Sequence, residues 1–219
     1  MLVFAKLFIN TSEIKINNYI KIPMLSLFNS PPIDNILPKD GLAQYYGKVI
    51  PTSYFDALLH SIDWKNDEVF IYGKKIITKR KTAWYGNNNI AYTYSKTTKI
   101  ALPFTTILLE IKNIVEQICD AKFNACLLNL YQNGSEAMSW HSDNESSIIK
   151  HSTIASVSLG AERKFSFKHK ISNEKIDILL ENGSLLAMKN EIQDYWLHAL
   201  PQQNKVLTPR INLTFRNMI

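Results

Sequence analysis

At 219 residues, with a formal charge of +6 and a sequence pI near 9.1, the chain is long enough for one domain with a sizeable core, and no internal repeat, low-complexity tract or Pro/Gly/Ser linker divides it. The cationic balance fits a polyanionic partner, although the lysines sit in an Ile-, Lys- and Asn-rich composition that genome bias alone can produce. Cys119 and Cys126 are the only cysteines and have no neighbouring histidines, which excludes a disulfide framework or a zinc site and points to a reducing compartment, cytoplasmic in a bacterium or nuclear in a eukaryote.

The apolar opening from Met1 to Ile9 is broken by Lys6 and is too short to span a bilayer, and no small-residue cleavage site follows it. Neither a targeting segment nor a membrane contact is expected, and the chain is expected to act as a monomer. Residues 1–50 mix apolar clusters with Pro31, Pro32, Pro38 and Gly41 and read as an irregular leader packed on a single domain covering 51–219. Thr52 and Ser53 can cap a helix whose Phe55, Leu58, Leu59 and Ile62 follow the spacing of an amphipathic face, with His60 and Trp64 in packing or surface roles.

Ile71 to Lys75 then reads as a tight turn with Tyr72 at its tip and Gly73 and Lys74 beside it, followed by Lys79, Arg80 and Lys81 and by Trp84, Tyr85 and Gly86. A solvated hairpin accounts for this stretch, and so does a nucleic-acid surface, where cations meet phosphates and rings stack on bases. In Tyr92-Thr93-Tyr94 the two tyrosines share a face of a strand, either as ordinary strand aromatics or as base contacts. After Pro103, the residues Ile107, Leu108, Ile111, Ile114, Val115 and Ile118 make the apolar stripe of a second helix that should buttress a sheet.

The stretch from Phe123 to Gly134 alternates as a strand, placing Phe123, Leu127, Asn129 and Tyr131 on one face, and Asn129 and Tyr131 can donate hydrogen bonds to a carboxylate. In Trp140-His141-Ser142-Asp143-Asn144-Glu145 an imidazole and a carboxylate stand two residues apart. On a strand both project to one face and can grip one metal ion, although a polar strand end gives the same pattern. The best candidate for a third ligand is His198, and two imidazoles with one carboxylate leave the open positions that suit Fe(II) oxygenases. Between these lie the alternating stretches 153–160 and 163–170, grouped around a Gly turn, with Lys168 to Lys170 suited either to phosphate contact or to a plain solvated turn. His151 and His169 read as surface residues, and Asn182-Gly183 between two apolar runs reads as a hairpin turn. The last strand alternates strictly, with Arg210, Asn212, Thr214 and Arg216 on one face and Ile211, Leu213 and Phe215 on the other. If the polar face lines an interior, its guanidinium groups need anions, and a dicarboxylate answers that need. The two arginines are roughly 20 Å apart along an extended strand, so Arg210 is the first choice for it.

The ordered set N-x-Y, H-x-D, a distant His and R-x-N-x-T-F-R resembles the AlkB family of Fe(II)- and 2-oxoglutarate-dependent dioxygenases, in its nucleic-acid-repair branch, from about Tyr72 to Arg216. The resemblance implies a double-stranded β-helix, that is, an α+β protein with a mainly β jelly-roll core carrying N-terminal helices and a nucleotide-recognition lid. It implies iron held by His141, Asp143 and His198, and 2-oxoglutarate contacts at Asn129, Tyr131, Arg210, Thr214 and Arg216 with Asn212 beside them. It places Tyr72, with Gly73 and Lys74, at the wedge of the duplex-repair members, where a wholly apolar residue is the usual choice. Tyr92, Thr93 and Tyr94 fall on the base-holding strand, with Tyr94 set to sandwich the base against His141, and Asn144 and Glu145 beside the base edge.

The activity implied is oxidative demethylation of bases such as 1-methyladenine and 3-methylcytosine in alkylated DNA, with 2-oxoglutarate and O2 consumed and succinate, CO2 and formaldehyde released. An AlkB-like oxygenase acting on RNA or on a protein side chain would keep the same iron site, and a non-catalytic basic nucleic-acid-binding jelly roll would keep only the fold.

Overall fold

Strict alternation decides the architecture, because a strand with one apolar and one polar face must be covered on both sides when both faces are buried. The computed structural model describes residues 35–71, 74–87, 90–94 and 97–219. In chain order its elements are β1 (Leu42–Lys48), α1 (Tyr54–Ser61), β2 (Lys65–Ile71), β3 (Lys74–Gly86), β4 (Ala91–Tyr94), β5 (Thr97–Ile100), β6 (Leu102–Pro103), α2 (Thr106–Cys119), β7 (Ala125–Tyr131), β8 (Met138–His141), β9 (Ile154–Gly160), β10 (Arg163–His169), β11 (Lys175–Leu180), β12 (Ser184–Lys189), α3 (Ile192–Tyr195), β13 (Trp196–Leu200) and β14 (Arg210–Arg216).

The larger sheet runs β1-β12-β9-β14-β7-β3-β2, with β6 parallel to β3, and the smaller runs β11-β10-β13-β8. The pairs β7/β8, β9/β10, β11/β12 and β13/β14 each place one strand in each sheet, which is the double-stranded β-helix. Each connection is therefore a corner between sheets. This corrects the hairpin reading of Asn182-Gly183: β11 pairs with β10, while β12 pairs with β1 and β9. The turn chemistry is real but serves a different bend. Gly183 has φ +83° and accepts from the amides of Val49 and Ile50, each at 2.9 Å, and Asn182 Oδ1 accepts from Gly160 N at 2.9 Å. A Cβ on Gly183 would sit 2.5 Å from the Ile50 carbonyl. Gly183→Ala is expected to destabilise the fold by about 2–3 kcal/mol through strain and overpacking, read as a lower urea midpoint at unchanged m. An unmoved midpoint would show that the corner relaxes freely.

One core lies between the larger sheet and the helices, where Ile211, Leu213 and Phe215 of β14 meet Leu58, Leu108, Ile111 and Val115. Each such side chain contributes about 1.5–3 kcal/mol on burial. The α2 stripe is seated as its spacing predicts, and Thr105 Oγ1 caps the helix by accepting from Leu108 N at 3.3 Å. Ser53 precedes α1 without a side-chain cap bond. Phe123 belongs to this helix-side core against Phe215, not to the face of Leu127, Asn129 and Tyr131, because β7 begins only at Ala125. A second core between the sheets joins Tyr131, Phe165, Phe167, Leu186, Met188, Trp196 and Leu200.

Within the expected leader, Leu42–Lys48 forms the edge strand β1 on β12, so that stretch is regular; residues 1–34 lie outside the described residues. Its short run with Gly47 at its end carries a weak strand signal, and its regularity comes from the pairing with β12. Trp84 and Tyr85 are buried at 4% exposure, so these two rings pack inside the protein. His169 is also buried: Nδ1 accepts from Ser172 N at 3.0 Å, which leaves Nε2–H to donate to Asp40 Oδ2 at 3.0 Å. His151 is exposed, with Nε2 at 2.8 Å from Asp194 Oδ2. Among the described residues no helix is long and apolar enough to cross a membrane.

Candidate metal centre

All seven residues of β14 are buried, so its polar face does line an interior. The antiparallel register sets Arg210 opposite Tyr131 and Asn212 opposite Asn129 on β7, and on the other side Asn212 opposite Ser158 of β9. Facing them from the smaller sheet, β8 and β13 pair His141 with His198. The sequence thus places its candidate ligands on facing walls of one pocket, lined by Asn129, Tyr131, His141, Asp143, His198, Arg210, Asn212, Thr214 and Arg216.

His141 ends β8, and Asp143 lies in the loop just beyond it. Met138 is opposite Leu200 and His141 opposite His198, so Ser139 and Trp140 share the single partner Ala199. This bulge turns Met138 and His141, three residues apart, into the same pocket, a re-aiming that simple alternation does not provide. It also brings the Ser139 carbonyl to 2.8 Å from His141 Nδ1. A carbonyl only accepts, so Nδ1 carries the proton and Nε2 presents its lone pair. His141 Nε2 lies 3.9 Å from Asp143 Oδ1, and the ligand atoms of His141, Asp143 and His198 all fall within 4.8 Å of one another.

The electrostatics prepare these groups as donors. Burial works against the Asp143 carboxylate, but the Arg216 guanidinium and then His198 and His141 outweigh it and hold the carboxyl down to about 2. Arg216 Nη2 donates to Asp143 Oδ1 at 2.8 Å, and the Asp143 amide donates to Gln193 Oε1 at 2.9 Å. Burial, reinforced by His141 and opposed by Asp143, pushes the His198 imidazole down to about 3, so it is neutral near pH 7. Its ring stacks on Phe165 with centroids 5.5 Å apart. Two imidazoles and one ionised carboxylate on one side of a pocket suit Fe(II).

The opposite end of the pocket suits a carboxylate. Arg210 is 2% exposed, donates from Nη2 to Ser158 Oγ at 2.8 Å and lies 5.5 Å over the Tyr131 ring. Burial pushes its guanidinium down to about 10, its Nε has no hydrogen-bond partner, and among the described residues no carboxylate lies within ion-pair distance. A buried cation in that state lacks an anion. Asn212 donates to Ser156 Oγ at 2.9 Å and to the Val157 carbonyl at 3.0 Å, and its Oδ1 accepts from Thr214 Oγ1 at 3.1 Å. Asn129 Oδ1 has no hydrogen-bond partner among the described residues.

Sequence reasoning missed several members of this site. Ser156 and Ser158 alternate on β9 and could have been found by that period. Gln193, which holds the Asp143 amide, carries no local signal. Arg163, fully buried, donates to the carbonyls of Glu136 at 2.9 Å and Pro201 at 2.8 Å and ties together the loops behind Tyr131. Lys170, though exposed, donates to the Gln193 carbonyl at 2.7 Å and to Ser142 Oγ at 3.2 Å, and is thus tied to the metal loop. Asn144 is exposed and Glu145 partly buried beyond Asp143. Tyr72 and Gly73 lie outside the described residues, and of Lys74 in β3 and Tyr92, Thr93 and Tyr94 in β4 the backbone alone is described.

Residues 49–216 match the family model described as the 2OG-Fe(II) oxygenase superfamily. The chain is 35% identical to the human protein named DNA oxidative demethylase ALKBH2 over 80% of its own length and 71% of that protein's. It is 34% identical to the Bos taurus protein of the same name, over 80% of this chain and 66% of that one. The Bos taurus protein named alpha-ketoglutarate-dependent dioxygenase alkB homolog 3 is 36% identical over 76% of this chain and 61% of its own length. The chain therefore spans about two thirds of the length of these relatives. With its two facing sheets and the pocket between them, the chain belongs to the AlkB family of the 2OG-Fe(II) oxygenase superfamily, dioxygenases that work with Fe(II), 2-oxoglutarate and O2.

Proposed function

We propose that this dioxygenase demethylates N-alkylated bases of the 1-methyladenine and 3-methylcytosine type in DNA, a direct-reversal repair. The observation that carries the cosubstrate half of the reading is Arg210, a buried guanidinium without a carboxylate partner among the described residues, in the same pocket as His141, Asp143 and His198. The substrate half is supported by the names of the relatives, which are DNA oxidative demethylases.

In this reading His141 Nε2, the Asp143 carboxylate and His198 hold the iron, and Arg210 holds the far carboxylate of 2-oxoglutarate. When bound, the pair supplies with O2 the oxidation of the N-methyl group, 2-oxoglutarate leaving as succinate and CO2 and the methyl carbon as formaldehyde. Tyr131 stacks under Arg210 and fixes its plane, while Asn129, Asn212 and Thr214 furnish further polar contacts. Arg216 keeps the Asp143 carboxylate ionised and oriented. Leu127, Met138, Phe165, Met188 and Leu200 wall the pocket and exclude water. His141 is the ligand nearest solvent, its side chain 32% exposed, so the target base meets it first, with Tyr94 on the other face and Tyr92, Thr93, Asn144 and Glu145 around it. Extruding that base costs a few kcal/mol, less where methylation already blocks pairing, and this favours the lesion. Tyr72, with Gly73 and Lys74, separates the strands of a duplex. The protein acts as a monomer away from membranes.

The test is anaerobic reconstitution with Fe(II) and 2-oxoglutarate, then air, on methylated oligonucleotides as DNA and as RNA, single- and double-stranded, read by mass spectrometry. Loss of the methyl group from DNA that needs both cosubstrates is the expected result. Demethylation confined to RNA, or succinate formed with no demethylation of any oligonucleotide, would overturn the DNA reading and leave the oxygenase.

A further inference from the structure

The bulge that turns His141 inward turns Trp140 outward, onto the outer face of the smaller sheet, where the ring is 40% exposed. The registers continue from there. Leu197 of β13 is opposite Lys168 of β10, and Lys168 is opposite Lys175 of β11. The side chains inward of this row, Phe167, Ile176 and Trp196, belong to the core between the sheets, so Lys168, Lys175 and Leu197 share the outer face with Trp140. Lys175 reaches across the row until its Nζ stands 6.0 Å over the Trp140 ring. Trp140 itself stands opposite Ala199, one register step from this row and level with Ser166 and Asp177, so indole and lysines form a patch across four strands, roughly 14 Å wide at about 4.8 Å per strand, that begins one residue from His141.

The charge along the patch is only partly compensated, by the attraction between Asp177 and Lys175. On the same face Asp177 is taken by Lys164, with Nζ to Oδ2 at 3.1 Å. Among the described residues neither Lys168 nor Lys175 has a carboxylate within ion-pair distance. Trp140 is the only tryptophan in the exposed apolar set, the others described being buried or half-buried. An exposed indole at one end of a cationic row offers one stacking face and two phosphate contacts, a combination that accepts a nucleic-acid strand of any sequence.

We infer that this patch is a docking track for the stretch of nucleic acid flanking the target base, with Trp140 stacking on a neighbouring base and Lys168 and Lys175 on the phosphates beyond it. The inference rests on the nucleic-acid substrate proposed above. A strand whose base enters beside His141 crosses the edge of β8, and Trp140 is the next side chain it meets. A protein partner is the competing occupant; the pairing of one exposed indole with two lysines that make no ion pair among the described residues favours the polyanion.

The experiment measures binding of a long unmodified single-stranded DNA to the full chain with Mn(II) in place of iron at several salt concentrations and, separately with Fe(II), 2-oxoglutarate and air, demethylation of a methylated trinucleotide and of a long oligonucleotide. W140A should bind the long strand on the order of tenfold more weakly, with W140F keeping most of the affinity. The double variant K168M/K175M should lower the slope of log affinity against log salt by about 1.4, because each phosphate neutralised on a single strand adds about 0.7 to that slope. Mn(II) affinity and turnover of the trinucleotide should not change. Unchanged long-strand binding in W140A would overturn the track. So would an equal loss on trinucleotide and long oligonucleotide, which would place the effect at His141. The two proposals fail separately: Trp140-dependent binding without any demethylation sinks the repair reaction alone, and demethylation with binding insensitive to Trp140 sinks the track alone.

Discussion

Replacing Asp143 by alanine is expected to end succinate formation and to lower affinity for Mn(II), the redox-silent stand-in for iron, by more than about 100-fold. Losing a partner that merely orients a ligand costs 10- to 100-fold, and Asp143 is the only anionic donor of the three. His198→Ala should behave alike, because its neutral imidazole is a donor that no neighbouring histidine replaces. The two substitutions differ in their effect on the fold. Asp143→Ala also removes the carboxylate that Arg216 Nη2 contacts at 2.8 Å, so it should unfold at lower urea than His198→Ala. Metal affinity within a few-fold of the parent, in a variant shown to be folded, would remove Asp143 from the metal centre.

Arg210→Met should move two quantities in opposite directions. Half-saturation by 2-oxoglutarate should rise by about 30-fold or more, since truncating one member of a buried ion pair costs roughly 2–5 kcal/mol. The ligand-free protein, however, should become more stable. Burial lowers the guanidinium from its usual value to about 10, a penalty on the order of a few kcal/mol carried by the folded state at neutral pH. The sign follows from the cation: a folded-state pKa below the unfolded one means that the protonated form disfavours folding, and methionine removes the charge while filling the space. A urea midpoint that falls in the variant without 2-oxoglutarate would refute the idea that Arg210 is held in waiting for an anion.

The metal ligands and the arginine strand were legible because each depends on local pattern. H-x-D places two donors within one turn of chain, and the alternation of β14 predicts which of its residues share the pocket. What escaped is the choice of partner. Asn182-Gly183 supplies the φ +83° bend that a hairpin would use, and only the register of β12 with β1 and β9 shows that the bend joins two sheets. Burial of His169 and Arg163 was invisible for the same reason, as their partners Asp40, Glu136 and Pro201 come from remote segments. The β8 bulge was hidden too, since it exists only in the count of residues against β13. In each case local chemistry fixes a conformation, and long-range pairing decides its use.

The interleaving of strands from distant parts of the chain has a consequence for biosynthesis. His198 follows His141 by 57 residues, and β14, which sits between β9 and β7, is the last strand of all. At roughly 5–20 residues per second a ribosome needs about 3–11 seconds between the two histidines. Throughout that interval the nascent chain displays one imidazole and one carboxylate but can close neither the metal pocket nor the larger sheet. Iron captured early would be held by two ligands only and would be exchangeable. The full set of three ligands exists only once His198 has been made, and the Arg216 contact that holds Asp143 follows later still, when β14 is added between β9 and β7.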